Sequence, residues 1–221
     1  MADETSRVNS VSNGPPQDFE PPKTNDESIR ASLKLELKTH YQSDPDTLIL
    51  DELGLRHGAA RIDLAIVNGN LHGFELKSDR DTLRRLPKQI GIYNSVLDQV
   101  TLIVGEKHLD EAVDIIPTWW GVRLANFKPG ENAVQFESVR ETLDNPSPDK
   151  LCIAKLLWRE EALAILECLG AAKGIRSRPR LTLYCRLAEI LNLEELRDRV
   201  RKQLRARVGW RSGEQRKQSD D

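Results

Sequence analysis

Apolar side chains recur with two different periods in the first quarter of the chain. In residues 26–42, Ile29, Leu33 and Leu37 follow one another at intervals of four, which predicts an amphipathic helix with one buried face. Residues 47–50 are a short apolar run, which predicts a strand. The pattern therefore predicts a helix followed by a strand.

Two longer apolar runs follow, at residues 62–67 and 71–77. They are joined by Asn68-Gly69-Asn70, and an Asn-Gly pair between such runs predicts a β-hairpin. We expect a three-residue turn at 68–70, with Gly69 adopting a positive φ because glycine does so at little cost.

The pattern after the hairpin alternates between helix and strand. Residues 81–99 have apolar positions every three or four residues and predict a helix, and residues 100–104 predict a buried strand. A strand, a helix and a strand in that order indicate a crossover with parallel pairing. A helix at 107–116 and strands at 121–125 and 133–137 complete an α/β core with a mixed sheet flanked by helices.

The last third of the chain has a helical pattern. Pro146 and Pro148 indicate a linker. The predicted helices lie at 151–169, 181–191 and 193–207. The predicted organisation is a disordered, polar and Pro-rich segment at 1–25, a core at 26–148, a C-terminal helical extension at 149–210 and a polar tail at 211–221.

The hairpin register brings three charged residues together. Opposite residues in a hairpin have numbers with a constant sum, and a turn centred on Gly69 places Asp63 opposite Glu75. Lys77 follows on the same face of its strand. An ordinary cross-strand ion pair on a solvated face is the alternative, because structural ion pairs also gather charges.

This trio suits the hydrolysis of a phosphodiester. Two carboxylates can hold Mg²⁺, which keeps several waters and takes further ligands from substrate phosphates. A metal-bound water loses its proton more easily, and a nearby lysine can orient that water or offset charge on the phosphate.

Asp63 followed by Glu75-x-Lys77 resembles the active-site signature of the PD-(D/E)XK nuclease superfamily, which has the restriction-endonuclease-like fold. The surrounding motifs are also similar to a small bacterial family assigned to that superfamily. These motifs are Asp51-Glu52-Leu53-Gly54-Leu55, His57-Gly58, Arg61-Ile62-Asp63 and Gly73-Phe74-Glu75-Leu76-Lys77-Ser78-Asp79. Ile62 replaces the proline that names the motif.

The resemblance implies a restriction-endonuclease-like sheet and a nuclease that uses Mg²⁺ or Mn²⁺. It implies that Asp63, Glu75 and the carbonyl of Leu76 bind the metal and that Lys77 positions the attacking water. Glu52 is a candidate third metal ligand, or it holds Arg61 in place. The acid that the first helix often supplies is left open among Glu27, Glu36 and Glu52.

Gln89 and Tyr93 are four residues apart and share one face of the predicted helix at 81–99. They resemble a Gln-x-x-x-Tyr pattern found near the metal and the nucleic acid in some nucleases of the superfamily. Core packing is the alternative interpretation for Tyr93, because buried tyrosines usually pair their hydroxyl in either case.

Composition indicates a globular protein of the cytoplasm without a membrane segment. Hydrophobic residues make up 38% of the 221 residues and charged residues 31%, and no apolar run is long enough to span a bilayer. The N-terminal residues do not resemble a secretory signal. Cys152, Cys168 and Cys185 lack metal-type spacing, so we expect buried thiols and no zinc.

Charge is distributed unevenly. Residues 26–150 contain 15 Lys or Arg against 21 Asp or Glu, whereas residues 151–221 contain 16 against 10. Because basic clusters bind nucleic acid, we expect DNA contact from the 173–180 loop. That loop contains Lys173, Arg176, Arg178 and Arg180. For the arginines of the last helix we expect an ordinary solvated face.

The sequence therefore predicts a metal-dependent nuclease that acts on DNA, with RNA as the alternative substrate and a homodimer open as the assembly. The alternative function is a catalytically silent module on the same fold, which binds nucleic acid or takes part in an assembly.

Overall fold

The computed structural model describes residues 22–128 and 133–207. Most of the predicted disordered segment and the whole polar tail at 211–221 lie outside the described residues. The described helices are α1 Asp26–His40, α2 Leu86–Val96, α3 Leu109–Ile115, α4 Lys150–Ala154, α5 Arg159–Cys168, α6 Arg180–Ile190 and α7 Leu193–Ala206. The strands are β1 Leu48–Leu55, β2 Ala60–Val67, β3 Leu71–Lys77, β4 Gln99–Gly105, β5 Gly121–Phe127 and β6 Val134–Arg140.

The six strands form one mixed sheet in the order β1-β2-β3-β4-β5-β6. The β1–β2 and β2–β3 pairs are antiparallel, and the β3–β4 and β4–β5 pairs are parallel. The β5–β6 pair is again antiparallel. The predicted fold class is confirmed: a mixed α/β sheet is flanked by helices, and further helices follow at the C-terminal end.

Helices cover both faces of the sheet. Ile29, Leu33 and Leu37 of α1 pack against one face, so the predicted stripe is buried as expected. α2 and the four C-terminal helices contribute to a larger core on the other face. β2 serves both cores by alternation, with Leu64 in the smaller core and Ala65 in the larger one.

The predicted hairpin register is confirmed from Leu64 to Val67, and the predicted pair of Asp63 with Glu75 lies one position beyond the paired residues. The β2–β3 pairs run from Leu64 with Phe74 to Val67 with Leu71. The turn differs in one respect, because Gly69 does not have a positive φ. Instead, the side chain of Asn68 accepts a hydrogen bond from the Asn70 N–H at 3.0 Å and closes the turn.

Two predicted helices differ most from the structure. The helix predicted from residue 81 begins at Leu86, with Pro87 in its first turn, where a missing backbone N–H is tolerated. Asp81 instead accepts the backbone N–H of Ser78 at 2.8 Å. The helix predicted at 151–169 is two helices, α4 and α5. The second begins where the Glu161 carboxylate accepts the Trp158 N–H at 2.7 Å.

β1 changes phase at Glu52, which has a φ of 51°. The buried positions of β1 have even numbers before Glu52 and odd numbers after it. The flanking pairs place Glu52 opposite Asp63. The irregularity therefore lies beside the predicted site.

Candidate active site

Glu75 is the centre of the candidate site, and its side chain is 1% exposed. The Lys77 ammonium, itself 6% exposed, donates to one carboxylate oxygen. The Gln89 amide donates to the same oxygen at 2.8 Å, and the Tyr93 hydroxyl lies 2.6 Å from the other. Lys77 of β3 and two residues on one face of α2 thus contact the same buried carboxylate.

Burial raises the pKa of Glu75, and the nearby negative charge of Asp63 adds to this, whereas the Lys77 ammonium opposes it. Burial and the Glu75 carboxylate also raise the pKa of Tyr93, so Tyr93 keeps its proton. The Tyr93 ring stacks on the buried Trp120 with centroids 6.0 Å apart, which fixes the hydroxyl.

Gln89 has one buried polar atom without a partner. Its amide nitrogen donates to Glu75 and to the Tyr93 hydroxyl at 2.9 Å. Its amide oxygen is buried and has no hydrogen-bond partner in the structure. Turning the amide over would place that oxygen against the Glu75 carboxylate, so the network fixes its orientation. Gln89 therefore keeps a free acceptor beside the acid.

Asp63 lies next to this network and has different partners. One oxygen accepts the backbone N–H of Leu76 at 2.9 Å, and the other accepts the guanidinium of Arg30 at 2.9 Å. Arg30 also donates to the Asp63 carbonyl and pairs with Asp26. Burial lowers the pKa of Arg30, but Asp26 and Asp63 together raise it by a larger amount. The net effect is a raised pKa, so this guanidinium stays charged.

Sequence reasoning missed Arg30. Its only local signal is the spacing of four from Asp26, which is common on helix surfaces. Nothing in the sequence indicates that the side chain of Arg30 on α1 reaches Asp63 on β2.

The predicted trio is thus brought to one place. Lys77 contacts Glu75 directly, and Asp63 reaches the same strand through the Leu76 N–H. For Leu76 the contact is made by the amide, and the predicted role of its carbonyl stays a prediction. His72 stacks on Phe74 and faces away from Glu75, as strand alternation requires.

Asp63 and Glu75 have the donor chemistry for a hard divalent cation, because Mg²⁺ is often bound by one or two carboxylates, waters and substrate phosphates. Each carboxylate already has a cationic partner, Arg30 or Lys77. Within residues 22–128 and 133–207, no group of three or more His, Cys, Asp or Glu side chains is arranged to hold a metal.

The other candidate acids have their own partners or positions. Glu52 pairs with Arg61 at 2.7 Å, which is the contact expected from the second of its two interpretations. Its role as a metal ligand stays a prediction. Glu36 binds Arg123 through both oxygens, and Glu27 is exposed on α1.

The predicted nucleic-acid loop is mostly exposed. Lys173, Arg176 and Arg178 are exposed, and Arg180 is half-buried at the start of α6. Arg176 pairs with Glu167 at 2.8 Å. A role for this loop in binding nucleic acid stays a prediction.

The expectation for the last helix was wrong for three of its arginines. Arg207, at the end of the predicted helix, is 4% exposed and pairs with Glu161 at 2.7 Å. Arg197 and Arg201 of α7 are only 16% and 13% exposed, and both approach Asp98, at 2.7 and 3.3 Å. They turn inward because Asp98, directly before β4, places a buried carboxylate beneath them. Lys202 and Asp198 do form the expected exposed pair.

The cysteines are also only partly as expected. Cys152 is buried, whereas Cys168 and Cys185 are exposed. None of the helices in the described ranges is both long and apolar enough to cross a bilayer.

Comparisons with known proteins give one family. A family model described as bacteriophage P4 protein cII matches residues 23–218. Protein cII of Enterobacteria phage P4 is 33% identical over 96 residues, which are 43% of this chain and 36% of that protein. The aligned stretch thus spans about a third of the relative's length. No solved structure matches the chain. Neither description names a nuclease, so the resemblance to the PD-(D/E)XK superfamily stays a prediction.

Proposed function

The chain belongs to the bacteriophage P4 protein cII family, and we propose that it is a metal-dependent nuclease that hydrolyses phosphodiester bonds in DNA. The observation that carries the proposal is the buried carboxylate of Glu75, held by Lys77, Gln89 and Tyr93 beside Asp63.

A purely structural role explains this network poorly. Removing a carboxylate and an ammonium from water costs several kcal/mol for each ion, and replacing such pairs with apolar residues is often neutral or stabilising. A buried carboxylate with a raised pKa, such as that of Glu75, is typical of functional sites when charged partners surround it. The phase change of β1 at Glu52, directly opposite Asp63, is a further local irregularity beside this point.

In this proposal Asp63 and Glu75 hold Mg²⁺ or Mn²⁺. When bound, the ion supplies a more acidic water and offsets negative charge on the phosphate. Gln89 and Tyr93 fix the orientation of the Glu75 carboxylate, and Arg30 fixes that of Asp63. Lys77 is placed to orient the attacking water or to offset charge as the phosphate is attacked and one P–O ester bond breaks.

The test is cleavage of labelled single-stranded, duplex and branched DNA, and of RNA, by the purified full-length chain with Mg²⁺. We expect Asp63→Asn and Lys77→Met to lower the cleavage rate by about 10²- to 10⁴-fold. Asp198→Asn, an equally conservative change in an exposed pair of α7, should leave the rate unchanged. Equal cleavage by all four proteins would remove the assignment.

A calorimetric titration of Mn²⁺ separates metal binding from turnover. Wild type should bind the ion, and Glu75→Gln should bind it at least tenfold more weakly because an amide oxygen carries no charge.

One observation favours a second candidate function, a catalytically silent module that binds nucleic acid. Lys77 and Arg30 already neutralise both carboxylates, so the site is electrostatically balanced without a metal. This candidate predicts no cleavage, no binding of Mn²⁺, and affinity for DNA that EDTA does not change.

A further inference from the structure

The chain segment that joins Lys77 to Gln89 has an unusual concentration of exposed positive charge. Four of its side chains are basic and exposed, and we call them the basic rim: Arg80, Arg84, Arg85 and Lys88. The rim begins three residues after Lys77 and ends directly before Gln89, and both of those residues donate to Glu75. It is therefore anchored at both ends to the candidate active site.

The four basic side chains have no acidic partner among the described residues. Neither an ion pair nor a side-chain hydrogen bond connects any of them to a residue of the described ranges. The two acids of the same segment are otherwise engaged. Asp79 accepts from Thr24 and from the Lys107 backbone, and Asp81 accepts from the N–H and hydroxyl of Ser78.

The backbone of the segment is held firmly although its basic side chains are free. Asp79 ties the end of β3 to the residues before α1 and to the loop after β4, through bonds of 2.7 to 3.1 Å. The His108 ring bonds the Asp81 carbonyl at 2.8 Å. A partner that binds the rim therefore meets an ordered surface, which lowers the entropic cost of binding.

Helix geometry places one residue of the rim close to the site. Arg85 is the N-cap residue of α2 and is four residues before Gln89, so their backbone positions lie one turn, about 5.4 Å, apart on the same side of the helix. A substrate phosphate beside Glu75 would thus have a guanidinium one turn away.

We propose that the basic rim binds the phosphate backbone of the nucleic acid on the side of the site where β3 ends and α2 begins. This inference rests on the proposed function for the identity of the ligand. Guanidinium groups present donors in a fork that matches phosphate oxygens, and unpaired arginines retain those donors for a ligand.

The chemistry of the rim favours nucleic acid over a lipid surface. A surface that inserts into a bilayer carries apolar side chains beside its charges. The apolar residues of this segment, Leu83 and Leu86, are buried in the larger core. The rim is therefore charged without an exposed apolar component.

The experiment compares two double variants that each remove two positive charges. Arg84→Gln/Arg85→Gln alters the rim, and Lys38→Gln/Lys202→Gln removes two exposed positive charges that belong to no proposed site, one on α1 and one on α7. Binding of fluorescein-labelled DNA is followed by anisotropy over a series of salt concentrations, in EDTA so that no cleavage occurs. Thermal melts of both variants confirm that they are folded.

We expect the rim variant to raise the Kd at least tenfold and the other variant to change it by less than threefold. In the rim variant, the slope of log affinity against log salt should fall by about 0.7 to 0.9 for each DNA phosphate that the protein no longer neutralises. Arg84→Lys/Arg85→Lys keeps the charge and should recover most of the salt slope.

Equal weakening by both double variants would overturn the inference, because total charge would then explain the affinity. So would an unchanged Kd in the rim variant, or binding of wild type to phosphatidylserine vesicles or to polyglutamate but not to DNA. The nuclease proposal is judged separately, by cleavage with Mg²⁺ in wild type, Asp63→Asn and Lys77→Met. Cleavage can therefore fail while rim binding stands, and the reverse.

Discussion

Two sets of arginines in this protein have the same chemistry and opposite surroundings. At the C-terminal end, the guanidinium groups of Arg197 and Arg201 approach Asp98, and that of Arg205 approaches the Asn68 carbonyl at 3.3 Å. These three are four residues apart, so they lie along one face of α7. We call this set the arginine face. In the basic rim, by contrast, the charged groups have no partner in the described part of the chain.

The comparison teaches that net charge does not show which cations are available to a ligand. The C-terminal part of the sequence has the excess of basic residues, whereas residues 26–150 have an excess of acidic ones. Yet the arginine face neutralises the buried Asp98 and bonds the Asn68 carbonyl, and the rim lies in the acidic part of the chain. Availability depends on which elements the topology packs together.

The most disruptive test of the comparison removes the acid beneath the arginine face. Asp98 accepts the Leu71 N–H at 2.8 Å and faces two guanidinium groups. Burial raises the pKa of Asp98, although the two guanidinium groups oppose the rise. The Asp98 carboxylate is therefore costly to bury even though it is paired. Asp98→Ala leaves both arginines unpaired and should lower the free energy of unfolding by about 3 to 5 kcal/mol, measured by urea denaturation.

Two controls make this result specific. Asp198→Ala removes an exposed acid from α7 and should lower the free energy of unfolding by less than about 1 kcal/mol. Asp98→Leu combined with Arg197→Met and Arg201→Met should cost less than Asp98→Ala, because no unpaired charge remains. A loss below about 1 kcal/mol for Asp98→Ala would show that the arginine face does not hold α7 to the sheet.

Arg207, just after α7, is a second buried arginine site, where we expect a smaller loss of stability on substitution. Its guanidinium, 4% exposed, bonds Glu161 and the Leu156 carbonyl at 2.7 Å and lies 4.2 Å from the centroid of the Trp158 ring. Arg207→Lys keeps the charge but loses the planar fork, so we expect a loss of about 1 to 2 kcal/mol in the same measurement. Lys202→Arg, the reverse exchange at an exposed site, should have no measurable effect.

Local patterns predicted much of the fold, because periodicity and turn chemistry act over a few residues. The stripe of α1 and the register that sets Asp63 near Glu75 follow from such patterns. The pairing of Arg30 with Asp63 does not, because the two are 33 residues apart and only the packing of α1 on the sheet brings them together.

The same limit explains the arginine face. A spacing of four along α7 is equally compatible with a solvated surface, and only the position of Asp98 beneath α7 decides between the two. The break between α4 and α5 was missed for a local reason: apolar residues continue through it, and the carboxylate of Glu161 starts a new helix there.

β3 connects the two regions, since Leu71 contacts Asp98 at one end and Lys77 contacts Glu75 at the other. On its opposite face, burial lowers the pKa of His72 from 6.5 to about 4. The folded state therefore keeps this ring neutral while the unfolded state takes up a proton. Its stabilising contribution is complete above pH 6.5 and is lost as the pH falls toward 4, by at most about 1.4 kcal/mol per pH unit.

Urea denaturation at several pH values checks this contribution. Wild type should lose more stability than His72→Gln between pH 6.5 and about 4. His40→Gln, at an exposed position, should keep the wild-type slope. Parallel curves for wild type and His72→Gln would contradict the prediction.

The smallest expected effect on stability belongs to the basic rim. Arg84→Gln/Arg85→Gln removes two exposed side chains that have no ionic partner in the described ranges, so we expect the free energy of unfolding to change by less than about 0.5 kcal/mol. The measurement is the same urea denaturation that is applied to Asp98→Ala. A loss above about 1 kcal/mol would mean that the rim, like the arginine face, supports the fold. If the free energy of unfolding of this variant is unchanged, the fold does not depend on the two arginines. Weaker DNA binding by the variant can then be attributed to the rim itself.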